Sequence, residues 1–194
     1  MIDNRRHLCN SSDEPSPAIP DGGSLVLHGF REISPTDLDD NVFRLIADDW
    51  MLLTAGPESS YNTMTASWGA LGELWNRKVA FVFVRPQRHT FGYMNASGRF
   101  TMSFFTERYR EALRFCGSRS GRDVDKAAET GLTPFTPAPG TTSFTEARLV
   151  MVCTRLYAQD LDPAGLADPS VEECYPDSDY HRMYVGSIDS VLSK

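Results

Sequence analysis

The short spacing between predicted strands is the feature that most constrains how this chain can fold. Six segments are rich in β-branched and aromatic residues, and turn residues or short helical segments separate most of them. The predicted strands are 50–55, 63–68, 78–85, 100–105, 147–158 and 182–192. Parallel strands need longer crossover helices than most of these connections supply. The sequence therefore predicts a mainly β fold, an antiparallel sheet or small barrel with helices at its ends.

Apolar residues at helical spacing predict a helix over 107–116. Two further helices are predicted over 89–97 and 122–130, which end at Gly98 and Gly131. The N-terminal residues differ, because they are rich in Ser, Pro, Asp, Asn and Gly and show no apolar period. A short helix is predicted to start near Pro35, capped by Ser34. We therefore predict a disordered N-terminal tail over residues 1–35 and one domain over residues 36–194.

Charge and composition exclude several classes of protein. The net charge of -7 argues against a general nucleic-acid binder, which needs a basic face. The four cysteines form no C-x-x-C pair and no zinc-ligand spacing, so we predict no metal site. The N-terminus lacks the apolar run of a signal peptide, and no apolar run could span a bilayer. These features predict a cytoplasmic protein that binds neither nucleic acid nor membrane.

The first candidate site is the strand Asn62–Gly69, which combines small side chains, hydroxyls and a terminal tryptophan. Small residues let a flat ligand approach the backbone, whose N–H and C=O groups can bond the edge of a flavin. The alternative is a barrel strand whose hydroxyls face water, and composition alone favours that interpretation.

The second candidate follows the strongest strand, where Arg85, Arg88 and Thr90 lead into a predicted helix. Two arginines can grip a phosphate with forked bonds, and a helix N-terminus adds oriented N–H groups. The alternative, a solvated charged loop, is equally compatible with the composition.

The third candidate is the segment Cys116–Asp123, whose glycines and hydroxyls could form an anion-binding nest. Without a paired histidine, Cys116 is more often a buried apolar residue than a nucleophile.

In their order along the chain, these segments resemble the flavin reductase-like FMN-binding split-barrel family. NTMTASWGALGELW at 62–75 is similar to the family's signature strand and loop, and VRPQRHT at 84–90 to its phosphate-binding turn. Residues 116–134 resemble the following helix–loop–helix, and two late segments resemble the closing strands. The resemblance covers residues 36–194. It implies a six-stranded antiparallel Greek-key split barrel with short flanking helices, usually a homodimer with FMN near the subunit interface.

The resemblance also implies the residues that contact FMN. The backbone of residues 64–67 would line the isoalloxazine, and the turn at 85–90 would hold the phosphate. Gln87 and His89 stand where serine and tyrosine are common in the family, and Cys174 where an aromatic residue is common. The implied set is Asn62, Met64, Thr65, Ala66, Ser67, Trp68, Arg85, Gln87, Arg88, His89, Thr90, Ser103, Phe104, Cys116, Gly117, Ser118 and His181.

The function implied is that of an NAD(P)H-dependent flavin reductase-like oxidoreductase. It would pass a hydride through FMN to a small-molecule or flavin acceptor, and no catalytic residue is assigned because the cofactor carries the chemistry. The alternatives are a non-catalytic FMN carrier or sensor on the same fold, and a barrel that has lost its flavin. A pyridoxamine-phosphate-oxidase-like reaction uses a related barrel with a less similar signature.

Overall fold

An eight-stranded antiparallel sheet organises residues 28–194, the part of the chain that the structure, a computed structural model, describes. Its strands run in the order β3-β2-β6-β9-β10-β5-β4, and β1 pairs with β10. A separate two-stranded sheet joins β7 to β8. The strands are β1 (Arg31–Ile33), β2 (Met51–Ala55), β3 (Asn62–Ala66), β4 (Gly69–Leu74), β5 (Arg77–Val84), β6 (Arg99–Phe104), β7 (Pro134–Phe135), β8 (Ser143–Phe144), β9 (Leu149–Asp160) and β10 (Arg182–Ser193).

Four short helices lie between these strands, and their caps explain where they begin. The Asn41 side chain accepts from two backbone N–H groups at the start of the first helix, and Asp125 does the same for the fourth. The fourth helix ends at Gly131, whose φ of 68° is the left-handed conformation that glycine adopts most readily. The helices are α1 (Val42–Ala47), α2 (His89–Ala96), α3 (Arg110–Ser118) and α4 (Lys126–Thr130).

The sheet buries apolar residues on both faces, because side chains alternate along each strand. Met102 and Phe104 of β6 belong to one core cluster, with residues of β2, β5, β9 and β10. Leu52 and Val150 face the other way, where α3, α4, β7 and β8 cover the sheet with a second cluster. Two buried faces give the sheet a large apolar contribution to stability and a rigid framework for the loops at its ends.

The predicted class, mainly β with antiparallel strands and short flanking helices, is confirmed. The count of six strands was too low, because β1, β4 and the short β7 and β8 were not predicted. The predicted helix at 122–130 begins only at Lys126, and a 3-10 turn at Glu107–Tyr109 precedes α3.

The N-terminal boundary of the fold also differs from the prediction. Residues 1–27 of the predicted tail lie outside the described residues. Within residues 28–35, β1 pairs with β10, and the Phe30 side chain is fully buried. The ordered chain therefore begins before residue 36. The short helix predicted behind Ser34 is a single 3-10 turn, Pro35–Asp37, and α1 follows as a separate helix.

Between β9 and β10 the chain leaves the sheet in an excursion over residues 161–181, which we call the strap. The ends of the strap meet, because the Leu161 N–H donates to the His181 carbonyl at 2.9 Å. Two 3-10 turns, Pro163–Gly165 and Pro169–Cys174, shape its course. Among residues 161–180, all of which the structure describes, Tyr175 alone is buried. The strap is therefore attached to the protein through few side chains.

Candidate functional site

A cavity of about 450 Å³ opens beside β3, where the end of β5, the loop after it and the start of β10 come together. The β3 side of the cavity, together with the C-terminal end of α3 that packs against β3, is called the inner wall. Arg85 and Gln87, together with the strap to which they are hydrogen-bonded, are called the outer wall. The lining residues are Met64, Thr65, Ala66, Ser67, Trp68, Phe83, Arg85, Gln87, Arg88 and His181.

Side chains that donate to carbonyl groups hold the inner wall together. The last carbonyls of a helix lack intrahelical partners and carry partial negative charge, so cationic donors stabilise this end of α3. Gly117 lies close to β3, because a Cβ there would come within 3.2 Å of Thr65 Cβ. The donations are Thr65 Oγ1 to the Leu113 carbonyl, Arg88 Nη2 to the Gly117 carbonyl at 2.7 Å, and Lys126 Nζ to the Cys116 carbonyl at 2.8 Å.

Lys126 is the most heavily buried cation of this wall, with 6% of its surface exposed. Its ammonium also donates to the Thr63 carbonyl at 2.8 Å, so one side chain joins α4, α3 and β3. The Lys126 pKa is lowered to about 8, chiefly by burial and to a smaller extent by the nearby Arg88 charge, against the opposing effect of Cys116. Sequence reasoning missed this residue, because its partners, the Thr63 and Cys116 carbonyls, come near it only in the folded chain.

Arg88 carries the positive charge of the inner wall to the start of α2, where His89 is the first residue. Burial, and then the Arg85 charge, lower the pKa of Arg88. Burial also lowers the pKa of His89, and the charges of Arg122 and Lys126 add to this effect. Burial is the largest cause of each of these shifts, and repulsion between the neighbouring basic groups adds to it. Such a group favours an anionic ligand.

Asn62 and Thr90 support the cavity rather than line it. Asn62 Nδ2 donates to Thr90 Oγ1 at 2.7 Å, and both side chains are buried. Gly121 packs against this pair so closely that a Cβ at that position would collide with Asn62 Oδ1. The pair therefore fixes β3 against α2 and the loop after α3.

The strap holds Arg85 on the outer wall. Arg85 Nη1 donates to both carboxylate oxygens of Asp179, at 3.0 and 2.8 Å, and Nη2 donates to the Cys174 carbonyl at 2.8 Å. Gln87 Nε2 also donates to Asp179. The Arg85 guanidinium lies 5.3 Å from the centre of the Tyr175 ring, which adds a cation–π contact. Arg85 thus borders the cavity with a carboxylate already bound to it.

His181 lies at the end of the strap and lines the cavity. Its Nδ1 and the Tyr175 hydroxyl are 2.9 Å apart, and its ring centre is 5.0 Å from that of Trp68. Burial lowers the His181 pKa to about 4, and the Arg85 charge acts in the same direction. The imidazole is therefore neutral at physiological pH. Trp68 is 46% exposed and forms the rim.

Two groups of implied contacts lie away from the cavity lining. Ser103 and Phe104 are fully buried in β6, two strands from β3 in the sheet, and Ser103 Oγ bonds with Ser143 Oγ at 2.8 Å. Cys116 is also fully buried, which raises its pKa to about 11. Ser118 is exposed and donates to the Phe115 carbonyl at 3.2 Å. Their implied contacts with FMN remain predictions that this geometry does not support.

Phe83 lines the cavity and Asp179 binds the lining residue Arg85, and neither was predicted. Phe83 lies on β5, two residues before Arg85, which directly follows the strand, and both border the cavity. Side chains two residues apart in an extended chain point to the same side, so this position could have been predicted. Asp179 reaches Arg85 only through the course of the strap, and no local pattern in the sequence indicates this.

The site combines a strand of small residues with arginines at one end. A cavity of about 450 Å³ lies within the range of roughly 300–1,000 Å³ that suits a cofactor or drug-sized ligand. The backbone of β3 offers hydrogen-bonding groups to a flat ring, and the arginines can bind a phosphate. The residues present therefore fit a planar ligand that carries an anionic group, as FMN does.

Comparison with protein families gives a match over most of the chain. Residues 43–191 match the family model described as "Flavin reductase like domain". No curated protein sequence gives a significant match. Among the described residues, no helix is long and apolar enough to cross a membrane.

Solved structures with a similar fold share little sequence with this chain. The FMN-binding domain of a flavin reductases-like enzyme from Shewanella baltica has a TM-score of 0.60 and 15% identity, covering 84% of this chain and 76% of that one. Flavoredoxin from Methanosarcina acetivorans has a TM-score of 0.60 and 20% identity over the same shares, 84% and 76%. Nitrilotriacetate monooxygenase component B from Bacillus cereus has a TM-score of 0.58 and 16% identity, covering 82% and 79%.

Proposed function

We propose that this chain, which belongs to the flavin reductase like domain family, binds FMN in the cavity beside β3 and transfers hydride from NAD(P)H through it. The acceptor is a small molecule or a free flavin. The observation that carries the proposal is the cavity itself, where the β3 backbone and two arginines border one space of suitable size.

In this proposal the inner wall holds the ring and the arginines hold the phosphate. The backbone of Met64–Ser67 bonds the edge of the isoalloxazine, and Trp68 and His181 limit access to it. Arg88 binds the phosphate from the inner wall and Arg85 from the outer wall. FMN supplies the hydride chemistry when bound. The protein orients it, and the positive charge of Arg88 and Lys126 favours a ligand that gains negative charge.

A homodimer is part of the same proposal. An apolar groove of about 660 Å³ between α1 and β4 adjoins the cavity through Ser67 and Trp68, which border both. Phe43, on the rim of this groove, is 84% exposed. Exposed aromatic residues around an apolar groove are typical of a protein interface. Analytical ultracentrifugation tests this part, and a monomer at micromolar concentration would contradict it.

The visible spectrum of the purified protein tests the central claim. We expect flavin absorbance that bleaches when NADH or NADPH is added without oxygen. A flavin spectrum that persists would contradict hydride transfer and support the carrier or sensor. A protein that takes up no flavin, even after incubation with FMN, would contradict the proposed cofactor.

Arg88→Ala tests the phosphate assignment. The substitution removes a charge-assisted hydrogen bond, so we expect FMN binding to weaken by about 2 kcal/mol, roughly thirtyfold. Arg114→Ala is the matched control, since Arg114 is an exposed arginine of α3 paired with Glu111. Isothermal titration with FMN measures both variants. If Arg88→Ala and Arg114→Ala bound FMN equally well, the assignment of Arg88 to the phosphate would be contradicted.

A further inference from the structure

Asp179 is hydrogen-bonded to the Arg85 guanidinium, which the proposed site needs for the phosphate of its cofactor. Both of its carboxylate oxygens accept from Arg85, and one of them also accepts from Gln87. The Arg85 hydrogen bonds hold the pKa of Asp179 below its usual range, so the carboxylate stays charged at physiological pH. A phosphate monoester has the same complementarity to a guanidinium as a carboxylate does. Ligand phosphate and Asp179 therefore compete for one partner.

The strap that carries Asp179 is acidic and loosely attached. Residues 161–181 contain six Asp or Glu residues and no Lys or Arg. Tyr175 is the single buried side chain among residues 161–180. Segments with few buried apolar contacts open at a small fraction of the free energy of global unfolding. The strap can therefore move away from Arg85 without disturbing the sheet.

We propose that Asp179 is an internal competitor for the phosphate group at Arg85, and that it thereby sets how strongly the cavity prefers FMN over unphosphorylated flavin. The inference rests on the proposed function, because it concerns the same cavity. Asp179 is a specificity-determining residue in this scheme, and it does not contact the flavin ring. Binding of a phosphate releases the strap, and closure of the strap opposes phosphate binding.

The competition affects only ligands that carry the phosphate. FMN must displace Asp179 from Arg85, so part of its binding free energy is spent on that exchange. Riboflavin has no phosphate and leaves the ion pair in place. Removing the Asp179 charge therefore raises the affinity for FMN and leaves the affinity for riboflavin unchanged. A purely structural role for Asp179 predicts the reverse, since a weakened outer wall would lower both affinities.

Titration of the flavin-free protein with FMN and with riboflavin tests the proposal. Asp179→Asn keeps the size of the side chain and removes its charge, and Asp177→Asn is the matched control, an exposed acid of the same strap. We expect Asp179→Asn to raise FMN affinity about fivefold, the effect of removing a partly exposed ion pair. Riboflavin affinity should stay within about twofold, and the control should match the wild type.

The proposal would be overturned if the ratio of FMN affinity to riboflavin affinity were unchanged or lowered in Asp179→Asn. This ratio decides the outcome even if the variant is less stable than the wild type. Wild-type protein that binds neither flavin would instead contradict the proposed function.

Hydrogen exchange tests the competition between phosphate and Asp179 without flavin. Inorganic phosphate, compared with chloride at equal ionic strength, should speed amide exchange in residues 161–181 of the wild type and have no such effect in Asp179→Asn. Equal exchange in phosphate and chloride would overturn the proposal.

Discussion

The two walls of the cavity are built on different physical principles. The inner wall joins β3 to the end of α3 through buried donors that satisfy backbone carbonyls, with Lys126 at its centre. The outer wall is an exposed strap held by hydrogen bonds from Arg85 and Gln87, including the Asp179 ion pair, and by one buried tyrosine. Buried donors to backbone groups are costly to remove, whereas partly exposed ion pairs contribute little. The difference suits a site with one fixed side and one side that can open.

The largest effect is expected from Lys126→Met. The substitution leaves the Thr63 and Cys116 carbonyls without a side-chain donor, so we expect the free energy of unfolding to fall by about 3 kcal/mol at pH 7. Lys78→Met is the matched control, because Lys78 is an exposed lysine whose pairing with Glu73 should contribute less than about 1 kcal/mol. Urea unfolding measures both. If the free energy of unfolding fell by a similar amount in both variants, the buried donor of the inner wall would contribute no more to stability than an exposed lysine.

The second largest expected effect is the dependence of the free energy of unfolding on pH that His181 causes. Its pKa in the folded protein is lowered to about 4, whereas the ordinary value is about 6.5. Below pH 6.5 the unfolded chain binds the proton more readily, so this contribution to stability is present above pH 6.5 and is lost as the pH falls toward 4. We expect a loss of about 2 kcal/mol across this window.

His181→Asn isolates that contribution, because asparagine does not titrate. Urea unfolding of both proteins from pH 7 to pH 4 should show a shallower decline in the variant. Parallel curves would mean that His181 is as easily protonated in the folded protein as in the unfolded chain.

A smaller effect is expected from Tyr175→Phe in the outer wall. The lost hydroxyl contact with His181 should change global stability by about 1 kcal/mol or less. The strap should open about fivefold more often, because a free-energy loss of about 1 kcal/mol changes the local opening equilibrium by that factor. Hydrogen exchange resolved along residues 161–180 measures the opening. A change spread evenly over the whole sheet would show that the strap is part of the rigid framework.

The smallest change concerns thiol reactivity, which needs no loss of stability. Cys174 lies exposed on the strap, whereas Cys116 is buried in the inner wall with a raised pKa. In a Cys9→Ser background, iodoacetamide should modify Cys174 readily and Cys116 only on unfolding. Mass spectrometry of the digested protein reads both sites. Comparable labelling of the two would show that the inner wall also opens.

Local pattern predicted the central strands well, because their β-branched and aromatic residues alternate with clear turns between them. It failed for β4, whose sequence GALGEL has two glycines and no β-branched residue. That segment becomes a strand by pairing with β5, and such tertiary pairing cannot be read from local sequence. The strand β1 was missed for the same reason, since it has three residues and depends on β10.

The sequence placed several of the residues that border the cavity, and their contact with a flavin stays a prediction. Met64–Trp68 and the arginines come together as expected, because each group follows or forms a clear strand. The resemblance also suggested Ser103, but its side chain lies on a face of β6 that points at β8. Lys126 and Asp179 act across long stretches of chain, so their roles depend on the fold rather than on neighbouring residues.

The meeting of the two strap ends has a consequence for engineering. Leu161 and His181 are hydrogen-bonded at the point where β9 and β10 begin to pair, so the sheet does not depend on how many residues lie between them. The cost of closing a flexible loop grows only with the logarithm of its length, about 0.6 kcal/mol per doubling. The strap can therefore be shortened, extended or exchanged as a module, provided that both end residues and the buried surroundings of His181 are retained.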